Sequence, residues 1–454
     1  MSIENQIVNI IEDKLKNPIY QTLQLLGMKN ILKASNFVKK EGVEVYLVIL
    51  HFVYMLVMNK KLSTFRDKSS DSFAKDVYYR LLKNSSYNWR KLLALSSMKI
   101  LSLLHKLQRP SAIKVLILDD TVEEKVGKYV EGSCDKLYSN KAKQKVRGIN
   151  VVSLNYSDGF TNLMLDFAIA MNSYARVALE EFTQSIDHRS HAYKRRVETL
   201  KGKSQIAIDM VTRAIKGGIY ADYLLVDSWY SKPIFIQKMN DLGLKVISRM
   251  SNNNKIWNFV GKHKTLESLY NHHNNIKQSK QGTYGKKIKF SYLGITVEHT
   301  KAGKIKIVFI KTKEKLIPIV STDLSISDEE VIEIYKRRWD IEQGYKELRE
   351  HFGFGKEENR IYEALIARIT LSFFTYNLVS YINRIHHEPQ TIGGLFKDLE
   401  CELHTLAIAM QTFIIILQEI AKIENVINRN EDLTSIIHLL SSITQNLLGF
   451  RCER

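Results

Sequence analysis

The stretch Lys114–Asp120, KVLILDD, decides the fold class. It is a short apolar run of strand type that ends in two carboxylates. Further apolar runs of strand length lie at Ile149–Tyr156, Asn162–Ala170, Tyr223–Tyr230 and Lys245–Ser251. Helical stretches separate the later runs, and the alternation of strand and helix is typical of α/β layer architectures. We therefore predict an α/β fold built around these five strands.

The rest of the chain changes character along its length. The segment before Pro110 reads as helical, and a polar segment with alternating apolar residues follows the predicted strands. Helical patterns return after this segment and continue towards the end of the sequence. We predict a helical N-terminal region (1–108), the first part of the α/β core (109–251), a β-rich insertion (252–322), the second part of the core (323–390) and a helical C-terminal region (391–454).

The helical N-terminal region contains a segment with features of a helix-turn-helix. In SSDSFAKDVYYRLLKNSSYNW, Ser70 or Asp71 could cap a helix that presents Lys75, Tyr79 and Arg80. A plain helical bundle explains the same pattern equally well. The interpretation as a DNA-binding region therefore needs support from elsewhere in the chain.

The composition favours a polyanionic partner. The chain has 454 residues, with 67 basic against 48 acidic ones, so that its formal net charge is +19. An excess of this size attracts polyanions, and nucleic acid is the first candidate. The apolar run Val45–Met58 is interrupted by His51 and is too short to span a bilayer. The start of the chain lacks the pattern of a signal peptide, so we expect a cytoplasmic protein with no membrane partner.

A polar and aromatic stripe is predicted on the stretch Tyr335–Arg349, YKRRWDIEQGYKELR. If this stretch is one helix, the 100° rotation per residue brings five side chains together. A face that packs into the core would carry Leu, Ile and Val instead, and a solvated face rarely carries Trp and Tyr. The stripe suits a negatively charged partner with flat surfaces, and its members are Tyr335, Arg338, Trp339, Glu342 and Arg349.

Three acidic positions are candidates for metal chemistry. Asp119 or Asp120 ends the first predicted strand, Asp227 ends the fourth, and Glu342 lies in the predicted helix. Side chains at the carboxyl ends of strands open into the crevice where α/β proteins bind ligands. Converging carboxylates repel one another unless cations neutralise them, and their hard oxygens suit two Mg²⁺ or Mn²⁺ ions. Alternatively, Asp227 is a turn residue and Glu342 pairs with Lys346 on the helix surface.

A basic segment follows the third predicted strand. It contains Lys194, Arg195, Arg196, Lys201 and Lys203. Charge alone allows two interpretations, which are contacts with nucleic-acid phosphates and a solvated helix face.

The motifs resemble those of a known family. The spacing of Tyr335, Arg338, Glu342 and Arg349 matches the Tyr-x2-Arg-x3-Glu-x6-Lys signature of a group of bacterial insertion-sequence DDE transposases, with Arg in place of the final Lys. A guanidinium does not reproduce the geometry of an ammonium. The stretch LDDT resembles the group's first aspartate motif, in which Asp119 is a better match than Asp120. The resemblance covers residues 109–390, and VDSWY matches the second aspartate motif.

The resemblance carries expectations about fold and site. It implies an RNase H-like core of five mixed strands with a β-rich insertion before the glutamate. It implies that Asp119, Asp227 and Glu342 bind the two metal ions and catalyse the reaction. It also implies that Tyr335, Arg338 and Arg349 contact DNA phosphates. Relatives that cut through a hairpin carry a tryptophan after the signature arginine, which stacks on a flipped-out base, and Trp339 occupies that position; core packing is its alternative role.

These expectations combine into one functional hypothesis. The protein is expected to bind the ends of its insertion sequence and to cleave and transfer DNA strands in a metal-dependent way, by cut-and-paste through hairpin ends. Its partners would be double-stranded DNA, at the transposon ends and the target, and a second copy in a synaptic homodimer. The first alternative is a transposase-derived DNA-binding protein that no longer cuts. The second is a helical interaction protein that binds RNA through its basic charge.

Overall fold

The protein is a mixed α/β structure in which helices surround one large mixed sheet. The description rests on a computed structural model and covers residues 18–62, 73–125, 127, 129–139, 142–172, 183, 186–250, 265–276, 279–284, 288–299, 302–313, 315–356, 359–385 and 391–399. The expected caps Ser70 and Asp71 lie outside these residues, as does nearly all of the predicted C-terminal helical region.

Ten strands form one sheet in the described part of the chain. The strands are β1 (Val115–Glu124), β2 (Cys134–Ser139), β3 (Gln144–Ser157), β4 (Asn162–Ala170), β5 (Tyr223–Val226), β6 (Lys245–Arg249), β7 (Lys280–Tyr284), β8 (Ile288–His299), β9 (Gly303–Lys311) and β10 (Leu316–Ser321). Their spatial order is β2-β3-β1-β5-β6-β10-β9-β8-β7, and β4 also pairs with β3.

The described helices come before, between and after these strands. They are α1 (Pro18–Leu26), α2 (Met28–Ala34), α3 (Val45–Val57), α4 (Lys75–Lys83), α5 (Trp89–Leu104), α6 (His191–Thr199), α7 (Lys203–Lys216), α8 (Pro233–Asp241), α9 (Leu266–Ile276), α10 (Asp328–Lys336), α11 (Trp339–His351) and α12 (Tyr362–Ile385).

The five predicted strands are present as β1 and β3 to β6, and they form the centre of the sheet. Strands β1, β5 and β6 run parallel to one another, whereas β3 pairs antiparallel with both β1 and β4. The alternating segment after β6 contributes β7 to β10, and β10 pairs with β6. This β-rich segment therefore extends the same sheet.

The prediction that Asp119 and Asp120 end the first strand is wrong. Strand β1 continues to Glu124, because its antiparallel pairing with β3 holds as far as Glu124 and Gly148. What ends near these two residues is the parallel neighbour β5, whose last pair with β1 is Leu118 with Val226. The two aspartates therefore lie where β1 loses its partner on one side.

Two helix ends agree with short sequence signals. The Ser-x-x-Glu spacing of Ser327 and Glu330 predicts a capping box, and Ser327 Oγ accepts from the Glu330 amide at 3.1 Å while Glu330 Oε2 accepts from the Ser327 amide at 2.7 Å. The pair Gly217–Gly218 predicts a helix end, and α7 ends before Gly217, with Gly218 at a φ of 88° that favours glycine. These ends depend on short-range contacts, which explains their success.

The long helix α12 is the core of the helical layer. It packs against α1, α3, α4, α5 and β4. It is the one described helix that is long and apolar enough to cross a membrane, but 94% of its apolar window is buried inside the protein. Its apolar length is therefore explained by a position inside the fold.

Both interpretations of the basic segment are wrong for two of its members. Arg195 and Arg196 are buried, and only 3% of the Arg196 side chain is exposed. Arg196 Nε donates to Glu363 at 2.8 Å, whereas Arg195 lies 3.6 Å from Glu198. The charge pattern did not reveal this, because Arg196 pairs with Glu131 and Glu363 and Arg195 donates to the carbonyl of Phe167, all of which are distant in sequence.

A buried ion network joins the N-terminal helices to the sheet. Asp166 on β4 accepts from Arg90 Nε on α5 at 3.0 Å and from Arg213 Nη2 on α7 at 2.7 Å. Burial favours the protonated acid, but Arg90, Arg213 and Arg195 hold the pKa of Asp166 well below its usual range. The ionised carboxylate is thus matched to several guanidiniums inside the protein.

We expect Asp166→Ala to lower the free energy of unfolding by about 3–5 kcal/mol, because it leaves buried guanidiniums without their carboxylate. Asp76→Ala is the control, since Asp76 pairs with Arg80 on the exposed surface and should cost less than about 1 kcal/mol. Urea unfolding measures both changes. Equal costs for the two variants would contradict the structural role of the network.

Candidate active site

Two aspartates lie at the same edge of the central sheet. Asp119 directly follows the last β1 residue that pairs with β5, and Asp227 directly follows the end of β5. Because the two strands are parallel and neighbouring, these residues leave the paired region side by side. Asp227 Oδ1 also accepts from the backbone amides of Trp229 at 2.9 Å and Tyr230 at 3.3 Å. The turn after β5 therefore fixes this carboxylate in place.

The surroundings of the Asp119 carboxyl disfavour its ionised form. Burial, followed by the charges of Asp227 and Asp120, raises its pKa to about 7. The positive charge of Arg338 and the amide of Asp120 act in the opposite direction without cancelling the rise. The pKa of Asp227 is also raised, first by burial. The sheet edge therefore concentrates negative charge that the surrounding protein leaves partly uncompensated.

The stretch that was expected to form one helix forms two. Helix α10 ends at Lys336 and α11 begins at Trp339, so that Glu342 lies in the first turn of α11. The prediction of a single helix was therefore wrong, although all five side chains of the predicted stripe line the same cavity. Arg338 lies at this break, where its Nη1 lies 3.1 Å from Asp119 Oδ2 and its Nη2 lies 2.5 Å from Glu342 Oε1. Arg338 thus joins the first and third predicted carboxylates.

Two tyrosines hold the helices against the sheet edge. The Tyr335 hydroxyl donates to the carbonyl of Val226 at 3.3 Å, and this carbonyl belongs to the last residue of β5. The Tyr345 hydroxyl donates to the carbonyl of Asp119 at 3.2 Å and lies 2.6 Å from Ser153 Oγ. Sequence analysis missed Tyr345, although its position three residues after Glu342 brings both to the same side of α11.

Asp120 faces away from this helix. Its Oδ1 accepts from Lys203 Nζ at 2.6 Å and from the Tyr230 hydroxyl at 3.1 Å. Successive side chains of a strand point to opposite faces, so Asp119 turns towards Arg338 and Asp120 towards Lys203. This arrangement favours Asp119 as the carboxylate that works with Glu342. Lys203 and Tyr230 were not predicted as partners, because their contacts depend on the tertiary fold.

Arg349 is engaged by the same strand that carries Asp119. Its Nη2 lies 2.6 Å from Glu123 Oε1, and it also donates to the Thr121 hydroxyl. Glu123 is buried, so this pair anchors α11 to β1. Trp339 differs, because 63% of it is exposed. The alternative of core packing for Trp339 is therefore excluded.

All seven predicted site residues line one cavity of about 490 Å³. Asp120, Thr121, Tyr138, Ser139, Arg249 and Tyr345 line it as well. Within the described residues, no three His, Cys, Asp or Glu side chains lie close enough together to hold a metal ion. Glu342 instead contacts Arg338. The donor set still fits Mg²⁺ or Mn²⁺, because it consists of hard carboxylate oxygens whose mutual repulsion a cation relieves.

Comparison with known proteins supports a DDE transposase-like family. Residues 68–270 match a family model described as DDE superfamily endonuclease. The matched segment contains Asp119, Asp120 and Asp227 and ends before Glu342. No curated protein matches the chain. The match supports a transposase-like nuclease, a class that acts on DNA and generally uses divalent metals.

We expect Asp119→Asn to stabilise the metal-free protein more at pH 8 than at pH 5, by a difference of about 2 kcal/mol. The pKa of Asp119 is about 7 in the folded protein against an ordinary 3.8. The folded state therefore holds this proton more tightly, and the stability that it provides is present below about pH 4 and lost as the pH rises through 7.

Urea unfolding in the presence of a chelator measures this effect. Asp241→Asn is the control, because Asp241 is exposed at the end of α8. Its effect should not change between pH 5 and pH 8. A stability difference for Asp119→Asn that is the same at both pH values would contradict the raised pKa.

Proposed function

We propose that this protein is a DDE transposase with an RNase H-like core, which binds the ends of its insertion sequence and catalyses DNA strand cleavage and transfer. The observation that carries the proposal is the meeting of Asp119, Asp227, Arg338 and Glu342 in one cavity at the sheet edge. The family match and the net charge of +19 support a DNA substrate. The proposed reaction is cut-and-paste movement.

Asp119, Asp227 and Glu342 would hold two Mg²⁺ or Mn²⁺ ions. Such ions activate the attacking oxygen and stabilise the leaving oxygen in phosphodiester displacement. Arg338 now supplies positive charge between Asp119 and Glu342. If ions neutralised the carboxylates, its guanidinium would be available to a DNA phosphate, which can accept two parallel hydrogen bonds from arginine.

The remaining signature residues have separate proposed roles. The Tyr335 hydroxyl reaches the carboxyl end of β5 and would position a phosphate beside Asp227. Arg349 would add positive charge at the cavity wall, while its ion pair with Glu123 holds α11 against β1. A synaptic homodimer with two transposon ends completes the proposal.

The first alternative is a transposase-derived DNA-binding protein that no longer cuts DNA. This alternative explains the basic charge and the exposed Trp339. It does not explain why a carboxyl with a raised pKa, Asp119, lies in the cavity. The RNA-binding helical protein is less compatible with the family match, since that match describes an endonuclease. Cleavage that depends on the carboxylates separates these possibilities.

We expect Glu342→Gln to reduce excision of the element by about 100-fold or more, because it removes a proposed metal ligand. The gene with its flanking DNA is placed on a plasmid, and empty donor junctions are counted. Glu350→Gln is the matched control, since it makes the same change on the same helix at an exposed position. Specific binding to the flanking DNA without excision by the unchanged protein would favour the silent DNA-binding alternative.

We expect Trp339→Ala to block hairpin formation on synthetic transposon ends while preserving the first nick. Stacking of a base on an aromatic side chain contributes about 1–3 kcal/mol, which offsets the cost of extruding the base. The hairpin yield should fall about 5- to 100-fold on denaturing gels, and Trp339→Phe should restore most of it. Normal hairpin yield in Trp339→Ala would refute this role.

A further inference from the structure

A basic hairpin lies beside the proposed active site. It consists of β2 and the first part of β3, and its described residues, 134–139 and 142–148, include four basic residues against one acidic residue. Lys136, Lys143 and Lys145 are exposed. Strand β2 lies at one end of the sheet order, so the hairpin projects this charge from an edge. A concentration of lysines at this position attracts phosphates.

The pairing register joins this charge to the cavity. Tyr138 on β2 lies opposite Lys145 on β3. Residues directly opposite each other on antiparallel strands project from the same face. Tyr138 lines the cavity that contains Asp119 and Glu342. The Tyr138–Lys145 face therefore borders the proposed catalytic carboxylates.

The exposure of Tyr138 separates two explanations for the hairpin. Lysines on edge strands commonly prevent sheets from pairing with other chains, and this would account for the charge alone. It would not account for a tyrosine that is 57% exposed and lines a polar cavity. An aromatic ring beside exposed lysines is the combination that binds the bases and phosphates of nucleic acid.

We propose that the basic hairpin is a second DNA-binding surface, which holds the DNA strand as it leaves the active-site cavity. This inference rests on the proposed function and names a contact beyond the signature residues. Lys143 and Lys145 bind phosphates next to the cleaved one, and Tyr138 contacts the sugar or base of the nucleotide between them. The hairpin thereby fixes the register of the DNA relative to Asp119 and Glu342.

The first test is the salt dependence of DNA binding. Fluorescence anisotropy is measured with a labelled duplex of the element's end and its flank, using full-length protein without divalent metal. Replacing Lys143 and Lys145 together by Ala should reduce the slope of log affinity against log salt by about 2, because each duplex phosphate contact contributes about 0.9. The control replaces Lys216 and Lys238, which are exposed on α7 and α8 and do not line the cavity.

The control variant has the same net charge as the hairpin variant, so a general charge effect would change both slopes equally. Equal slopes for the two variants would overturn the proposal. Thermal unfolding of each variant identifies any loss caused by misfolding. A wild-type protein that neither binds nor cleaves the duplex would overturn the proposed function and this inference together. Normal wild-type cleavage with an unaffected hairpin variant would overturn this inference alone.

The second test concerns Tyr138. Tyr138→Ala should weaken binding about 5- to 100-fold, and Tyr138→Phe should retain most of the affinity because it keeps the ring. The same variants should shift the position of cleavage on end-labelled DNA if the hairpin sets the register. Unchanged affinity and unchanged cleavage position in Tyr138→Ala would assign the tyrosine no part in DNA binding.

Discussion

The parallel pairing of β1 with β5 is the constraint on which the site depends. Its last pair is Leu118 with Val226, and the next residue on each strand is Asp119 or Asp227. A shift of β1 by one residue would turn Asp119 to the opposite face and bring Asp120 towards Arg338. The buried apolar residues of both strands prevent this shift, because they would also exchange faces. Packing of the sheet thus determines which carboxylate meets α11.

Charge balance explains why the helices meet the sheet as they do. Loss of solvent around the largely buried Asp119, followed by the charges of Asp227 and Asp120, raises its pKa to about 7. Arg338, which lies between α10 and α11, supplies compensating charge through its contact with Asp119. Tyr335 and Tyr345 fix the two helices to the backbone of β5 and β1. The helices therefore meet the sheet where a guanidinium can offset the charge of the carboxylates.

The sequence was informative where structure depends on neighbours along the chain. The apolar runs predicted the central strands, and the Ser327 capping box was visible from its spacing. It was not informative where partners are distant. Arg195 and Arg196 were expected to contact phosphates or to lie on a solvated helix face, whereas both are buried and Arg196 pairs with Glu131 and Glu363 from other parts of the chain. The seven predicted site residues were identified from the spacing of the motifs, and all of them line one cavity. Lys203 and Tyr230, which are the partners of Asp120, became apparent only in the fold.

The arginine at the last signature position has a physical explanation in this protein. Arg349 contacts both Thr121 and the buried Glu123, so one planar side chain binds two residues on the same face of β1. A lysine has a compact ammonium and cannot form the same fork of hydrogen bonds. With a lysine at this position, the buried carboxylate of Glu123 would be less well matched, on the strand whose register defines the site. The arginine at this position thus fits the contact between α11 and β1. The same contact holds Glu342 on α11 close to Asp119 on β1, which the proposed carboxylate site requires.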